Sequence, residues 1–185
     1  TDLVLVRNLT TIGTINLLGN ADAILDQDGI ITLGVNVGDQ PFGNVAGDFL
    51  FTNDGQVSAI GGVGASLPGN LVLNFDVDGQ LQIENQDTIS LTLTEGSSPT
   101  SAIDLLQGFS ESSVIFTNTG DILSEAGVAV ELGSQTSLDI ENAEGATIIN
   151  TGAGSGLVVS LDAPAVTANI TNAGLIEVAG QFRNA

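Results

Sequence analysis

Short apolar runs that end on asparagine, turn at a glycine and resume on isoleucine recur along this chain, most clearly in its C-terminal third. One such run leads into Asn118-Thr-Gly120-Asp-Ile122 and another into Asn172-Ala-Gly174-Leu-Ile176, with a looser copy at Ile140-Glu-Asn142-Ala-Glu-Gly145-Ala-Thr-Ile148. The apolar positions alternate, which is the two-residue period of a strand, and the Asn and Gly that interrupt them are corner residues. Tandem recurrence of one strand–corner–strand unit predicts a repeat architecture.

The glycines read as corners are Gly13, Gly29, Gly55, Gly79, Gly120, Gly145 and Gly174. Three of their six intervals fall in the mid-twenties, and the wide interval from Gly79 to Gly120 leaves room for one more circuit, marked by Asp87 or by the loop near Gly96. Two or three short strands per interval is the period of a parallel β-helix coil. The reading is an all-β chain forming a single right-handed parallel β-helix (β-solenoid) over residues 1–185, with roughly seven or eight coils along about 35 Å. Irregular loops are expected near residues 38–47, 61–69 and 95–101, where Gly, Pro and Ser gather. Residues 102–107 fit a helical turn or a short strand equally well. A β-sandwich is the alternative for short strands with turns, but its hairpins do not call for one corner motif in a fixed register.

Composition narrows the core and the chemistry. Phe, at 7 residues, is the only aromatic, and Cys, Met, Trp, Tyr and His are absent, so the core is expected from Ile, Leu, Val and Ala. The 22 acidic residues face 2 basic ones, Arg7 and Arg183, for a formal net charge of −20. Binding to nucleic acid depends on displacing phosphate counterions with Lys and Arg, so that partner class is excluded, and anionic membrane surfaces are disfavoured. No run approaches the ~18 apolar residues of a membrane span, so membrane insertion is not expected. The opening at Thr1 predicts a processed chain or a fragment.

Without His, Cys, Lys or Tyr, triads, Schiff-base lysines, zinc hydrolases and thiol enzymes are ruled out, leaving carboxylate chemistry. A lyase also needs a basic residue at mid-cleft, whereas both arginines lie near the chain ends. The chain is therefore read as not an enzyme. The corner asparagines are read as structural, since Asn tolerates the left-handed conformation, bonds neighbouring backbone and can bond the amide of the next coil. Asn74, Asp76, Asp78 and Gly79 resemble the start of an EF-hand loop, but the twelfth position is Asn85, not Glu. Leu91-Thr-Leu-Thr94 supplies one Thr-x-Thr pair, not the ladder of an ice-binding face.

One metal site is a candidate. Asp28, Asp54 and Asp78 each precede a corner glycine. On successive coils they would stack ~4.8 Å apart, and calcium, which accepts irregular carboxylate sets, would relieve their repulsion.

The repeat resembles the passenger domains of bacterial autotransporters and filamentous-haemagglutinin-type surface proteins, which carry tandem Ile/Val-x-Asn-x-Gly-x-Ile coils. Asn118/Gly120/Ile122 and Asn172/Gly174/Ile176 match that pattern fully, Asn53/Gly55/Val57 conservatively and Gln27/Gly29/Ile31 loosely. The resemblance implies a secreted or surface-displayed bacterial protein with a structural or adhesive role. Its expected partners are itself, through strand edges left open at the terminal coils, and a surface glycan or other cell-surface ligand. A calcium-dependent polysaccharide-binding or -cleaving module is the alternative of a different class, and the lack of Trp and Tyr for sugar stacking weighs against it.

Overall fold

In a computed structural model the chain is all-β, and every pairing between its strands is parallel among the described residues. Those residues are 3–12, 15–17, 22–27, 29–31, 35–37, 48–61, 73–75, 79–93, 101–104, 113–125, 128–134, 136–152, 155–161 and 167–178. The strands form three sheets. The first holds β1 (Leu3–Asn8), β4 (Asp22–Gln27), β7 (Phe49–Asn53), β10 (Gln80–Asn85), β13 (Ser113–Asn118), β16 (Ser137–Asn142) and β19 (Thr167–Asn172). The second holds β2 (Thr11–Ile12), β5 (Ile30–Ile31), β8 (Gln56–Gly61), β11 (Thr88–Leu93), β14 (Asp121–Ser124), β17 (Thr147–Asn150) and β20 (Leu175–Val178). The third holds β3 (Ile15–Leu17), β6 (Val35–Val37), β9 (Leu73–Phe75), β12 (Ser101–Asp104), β15 (Val128–Ser134) and β18 (Ser155–Leu161). The chain visits the three sheets in turn, so each strand pairs with the strand three elements away. The hairpin pairings that a sandwich requires do not occur among the described residues.

Register is set by burial on one face, because a slip of one residue would turn every apolar side chain outward. Leu25, Phe51, Ile83, Phe116 and Ile140 lie in one column of the first sheet, and Phe49, Leu81, Val114 and Leu138 in the next inward column. The second sheet contributes Val57, Ile89, Ile122 and Ile148. All are buried. Phe49, Phe51 and Phe116 are the largest fully buried side chains, so the core is not the purely aliphatic one that composition predicts. Their rings alternate along their columns with Ile and Leu, so a bulky layer faces a slimmer one.

The undecided segment 102–107 begins as strand, in β12. Of the loops expected at 38–47, 61–69 and 95–101, only Gly61 (end of β8) and Ser101 (start of β12) fall within the described residues.

The corner between the first and second sheets continues the stacking. Gly29 N donates to the Asn8 carbonyl at 3.0 Å, Gly120 N to Asn85 at 3.2 Å and Gly174 N to Asn142 at 3.1 Å. A Cβ on Gly120 would run into the carbonyl oxygen and amide of Asp87, the same corner position one circuit earlier. Gly145 differs: it has φ 86° with nothing near its absent Cβ, at the third position of a turn closed by Ala146 N donating to the Ala143 carbonyl at 3.1 Å. This corner is two residues longer, and Ala146 takes the stacking position, since Leu175 N donates to its carbonyl at 2.9 Å.

The two glycines therefore respond differently to substitution. Gly145→Ala costs about 1–2 kcal/mol through its left-handed backbone, and Gly145→Asn restores most of that. Gly120→Ala costs about 1–3 kcal/mol through overpacking, and Gly120→Asn makes it worse. Urea denaturation of the four variants checks the contrast.

Candidate functional site

Seven strands of the first sheet end at one register position, occupied in order by Asn8, Gln27, Asn53, Asn85, Asn118, Asn142 and Asn172. From Asn53 onward their side chains form a continuous amide ladder. Asn53 Nδ2 donates to Asn85 Oδ1 at 2.7 Å, Asn85 to Asn118 at 2.7 Å, Asn118 to Asn142 at 2.8 Å and Asn142 to Asn172 at 2.8 Å. Each Nδ2 also donates to the carbonyl that opens the next strand of the second sheet, at Thr88, Asp121, Thr147 and Leu175. Asn53, Asn85, Asn118 and Asn142 are buried, so these bonds neutralise groups that would otherwise be costly to desolvate. The structural reading of the corner asparagines is borne out, including the amide-to-amide contact.

The ladder has a direction: donors face the C-terminal circuit. Its first acceptor, Asn53 Oδ1, is buried with no partner among the described residues. The residue in register on the preceding strand is Gln27, whose side chain is one methylene longer than asparagine. Gln27→Asn is expected to extend the ladder toward Asn8 and stabilise the protein by about 1 kcal/mol, as a raised denaturation midpoint would report.

The asparagine column corrects the corner alignment read from glycine. The first described corner is Leu9–Thr10, ahead of Gly13, which lies outside the described residues. In the fourth circuit the stacking position is Asp87, as Asp121 N donates to its carbonyl at 2.9 Å. Gly79 instead immediately precedes β10, whereas Gly55 follows β7, its partner strand. The two glycines thus stand at opposite ends of the first sheet, separated by about 20 Å of strand. Of the three candidate calcium ligands, Asp54 is exposed, and Asp28 and Asp78 lie outside the described residues. Gly55 and Gly79, the described neighbours of Asp54 and Asp78, thus do not share a register position. Among the described residues no group of three or more His, Cys, Asp or Glu is placed to hold a metal.

Two surfaces stand out, of which the sequence anticipates only the second. A shallow groove of about 200 Å³ runs over the outer face of β13, β16 and β19, lined by outward residues that include Thr117, Asp139, Glu141, Asn169 and Thr171. Asp139 Oδ1 accepts from Asn169 Nδ2 at 2.7 Å across it. The alternation marks these residues as outward-facing, but only the register brings them together.

The other surface is the terminal circuit. Ile140 is 4% exposed, yet Ile170, its register partner in β19, is 53% exposed. Asn172, Leu175 and Val178 are exposed as well. At the other end of the sheet, β1 pairs only with β4 among the described residues, and Arg7 bridges Asp26 at 3.0 Å. That pair is largely solvated and contributes at most about 1 kcal/mol. No family model, no curated protein and no solved structure matches the chain, so its geometry carries the functional reading.

Proposed function

We propose that the chain is a right-handed parallel β-solenoid, a non-catalytic structural or adhesive element of the bacterial cell surface or extracellular space. It self-associates into a fibre or surface assembly. The observation that carries this reading is the terminal circuit, where columns buried throughout the interior end on exposed Ile170 and Asn172. An open end of this kind needs a cap or a neighbour. The solenoid is supported by the regular return to each sheet after three strands, and its hand by the strong right-handed preference of parallel crossovers. The resemblance to autotransporter passenger and filamentous-haemagglutinin-type coils supports the location. The absence of His, Cys, Lys and Tyr supports a role without catalysis.

Electron microscopy of the purified chain tests the reading, with rods or filaments that lengthen with concentration as the expected result. Compact, separate particles at every concentration would overturn it. A second reading, a calcium-dependent polysaccharide-binding or -cleaving module, draws its support from the groove holding Asp139 and Glu141. Calcium-dependent retention on an acidic polysaccharide, lost in Asp139→Asn, would favour it over the fibre.

A further inference from the structure

Three columns of the first two sheets begin and end on the same kind of residue. The column ending at Ile170 begins at Val6, the column ending at Asn172 begins at Asn8, and the column ending at Ile176 begins at Ile12. The edge strands β1 and β19 each have 6 residues, belong to one parallel sheet and face opposite ways along it. The tail is therefore shaped to receive another head.

Hydrogen bonding and charge point the same way. Asn172 Nδ2, the leading donor of the ladder, has no partner among the described residues, and every earlier donor serves both the next corner amide and the next opening carbonyl. On an incoming head these acceptors are Asn8 Oδ1 and the Thr11 carbonyl. Asn8 Oδ1 already accepts from Thr10 N at 3.2 Å and from the Thr10 hydroxyl at 3.4 Å, and that hydroxyl rotates to another acceptor as Asn172 Nδ2 arrives. The head edge also carries Arg7, 57% exposed, while the tail presents exposed Asp139, Glu141 and Glu177. A tail-to-tail contact would instead set those carboxylates against each other, in a chain with a net charge of −20.

We infer that the tail edge, β19 and β20, docks the head edge, β1 and β2, of a second copy in continued parallel register. This rests on the self-associating reading above and specifies its interface. The contact is heterologous, so it propagates and does not close on itself. Arg7 of the incoming copy enters the outward column of Thr171 and Glu141, and Ile170 is covered by the incoming apolar layer.

The test uses the full chain with one end blocked at a time. Arg7→Glu blocks the head and Ile170→Asp blocks the tail; both sites are more than half exposed, and Val178→Asp is a second tail block if needed. In sedimentation velocity the unmodified chain associates with rising concentration, and each variant alone stays monomeric, its association weakened by at least about tenfold. An equimolar mixture of Arg7→Glu and Ile170→Asp forms a one-to-one dimer and nothing larger, because one open tail meets one open head. Self-association of Arg7→Glu alone would mean tail-to-tail docking and overturn the inference while leaving the fibre reading intact. So would an associating chain indifferent to both substitutions. A monomeric unmodified chain at all concentrations would sink self-association as a whole.

Discussion

Replacing Asn118 with alanine is expected to lower the unfolding free energy by about 2–6 kcal/mol. Asn118 occupies the middle of the ladder, fully buried, and its side chain serves both neighbours. Its removal leaves Asn142 Oδ1 without a donor. It also leaves Asn85 Nδ2 with only the long 3.5 Å contact to the Asp121 carbonyl. Each stranded buried group costs about 1–3 kcal/mol, which exceeds the ~1 kcal/mol net value of an ordinary hydrogen bond. Asn118→Asp is no remedy, because it sets an acceptor against an acceptor and buries a charge. Asn172→Ala at the open end supplies the control. Its site is exposed, and Asn142 Nδ2 keeps the Leu175 carbonyl at 3.3 Å, so the loss is about 0.5–1 kcal/mol. Urea melts of the three variants should separate these costs, and equal losses at the two alanine sites would show that burial of the ladder is irrelevant to its energy.

The contrast between asparagine and glycine explains which part of the fold was legible in the sequence. Parallel strands repeating in tandem follow from alternating apolar runs with a recurring corner, and the described residues bear this out. The alignment of circuits was not legible from glycine, which serves any turn that needs an unusual φ or a close approach. Gly79 precedes a strand and Gly145 turns an enlarged corner whose stacking position Ala146 holds, while Asp87, one of the two markers offered for the wide interval, does hold a stacking position. Asparagine at the strand end is the stricter marker, because its amide must meet another amide one circuit on. Its column gives circuits of 32, 33, 24 and 30 residues from Asn53 to Asn172. That variation is absorbed between β8 and β10, and between β11 and β13, without disturbing the first sheet. The acidic ladder inherited the glycine alignment, in which Gly55 and Gly79 do not share a register position. The open tail was anticipated as a consequence of repetition. The groove at Asp139 and Glu141 was not, because outward residues on separate circuits become neighbours only through the register.

Phe116→Ala is expected to cost about 3–5 kcal/mol and to alter how the protein unfolds as well as its stability. The ring is fully buried, in a column with Ile83 before it and Ile140 after it. Alanine leaves a cavity that paired strands on both sides cannot collapse into without breaking register. The same truncation at Ile170 costs under about 1 kcal/mol, because that side chain is already half in solvent. Position matters in a second way. Among the described residues each strand of the first sheet pairs only with its two neighbours in that sheet, so stability is close to a sum of nearest-neighbour interfaces. Phe116 lies on β13, with β10 on one side and β16 and β19 on the other. Loosening that strand weakens the link between the head strands and a short C-terminal pair. Phe116→Ala should therefore broaden the urea transition and lower its apparent slope, while Ile170→Ala shifts the midpoint slightly at constant slope. Hydrogen exchange should place the first loss of protection in β16 through β20, ahead of β4 through β10. A variant that unfolds in one transition with an unchanged slope would mean that cooperativity spans all seven strands and does not pass from neighbour to neighbour.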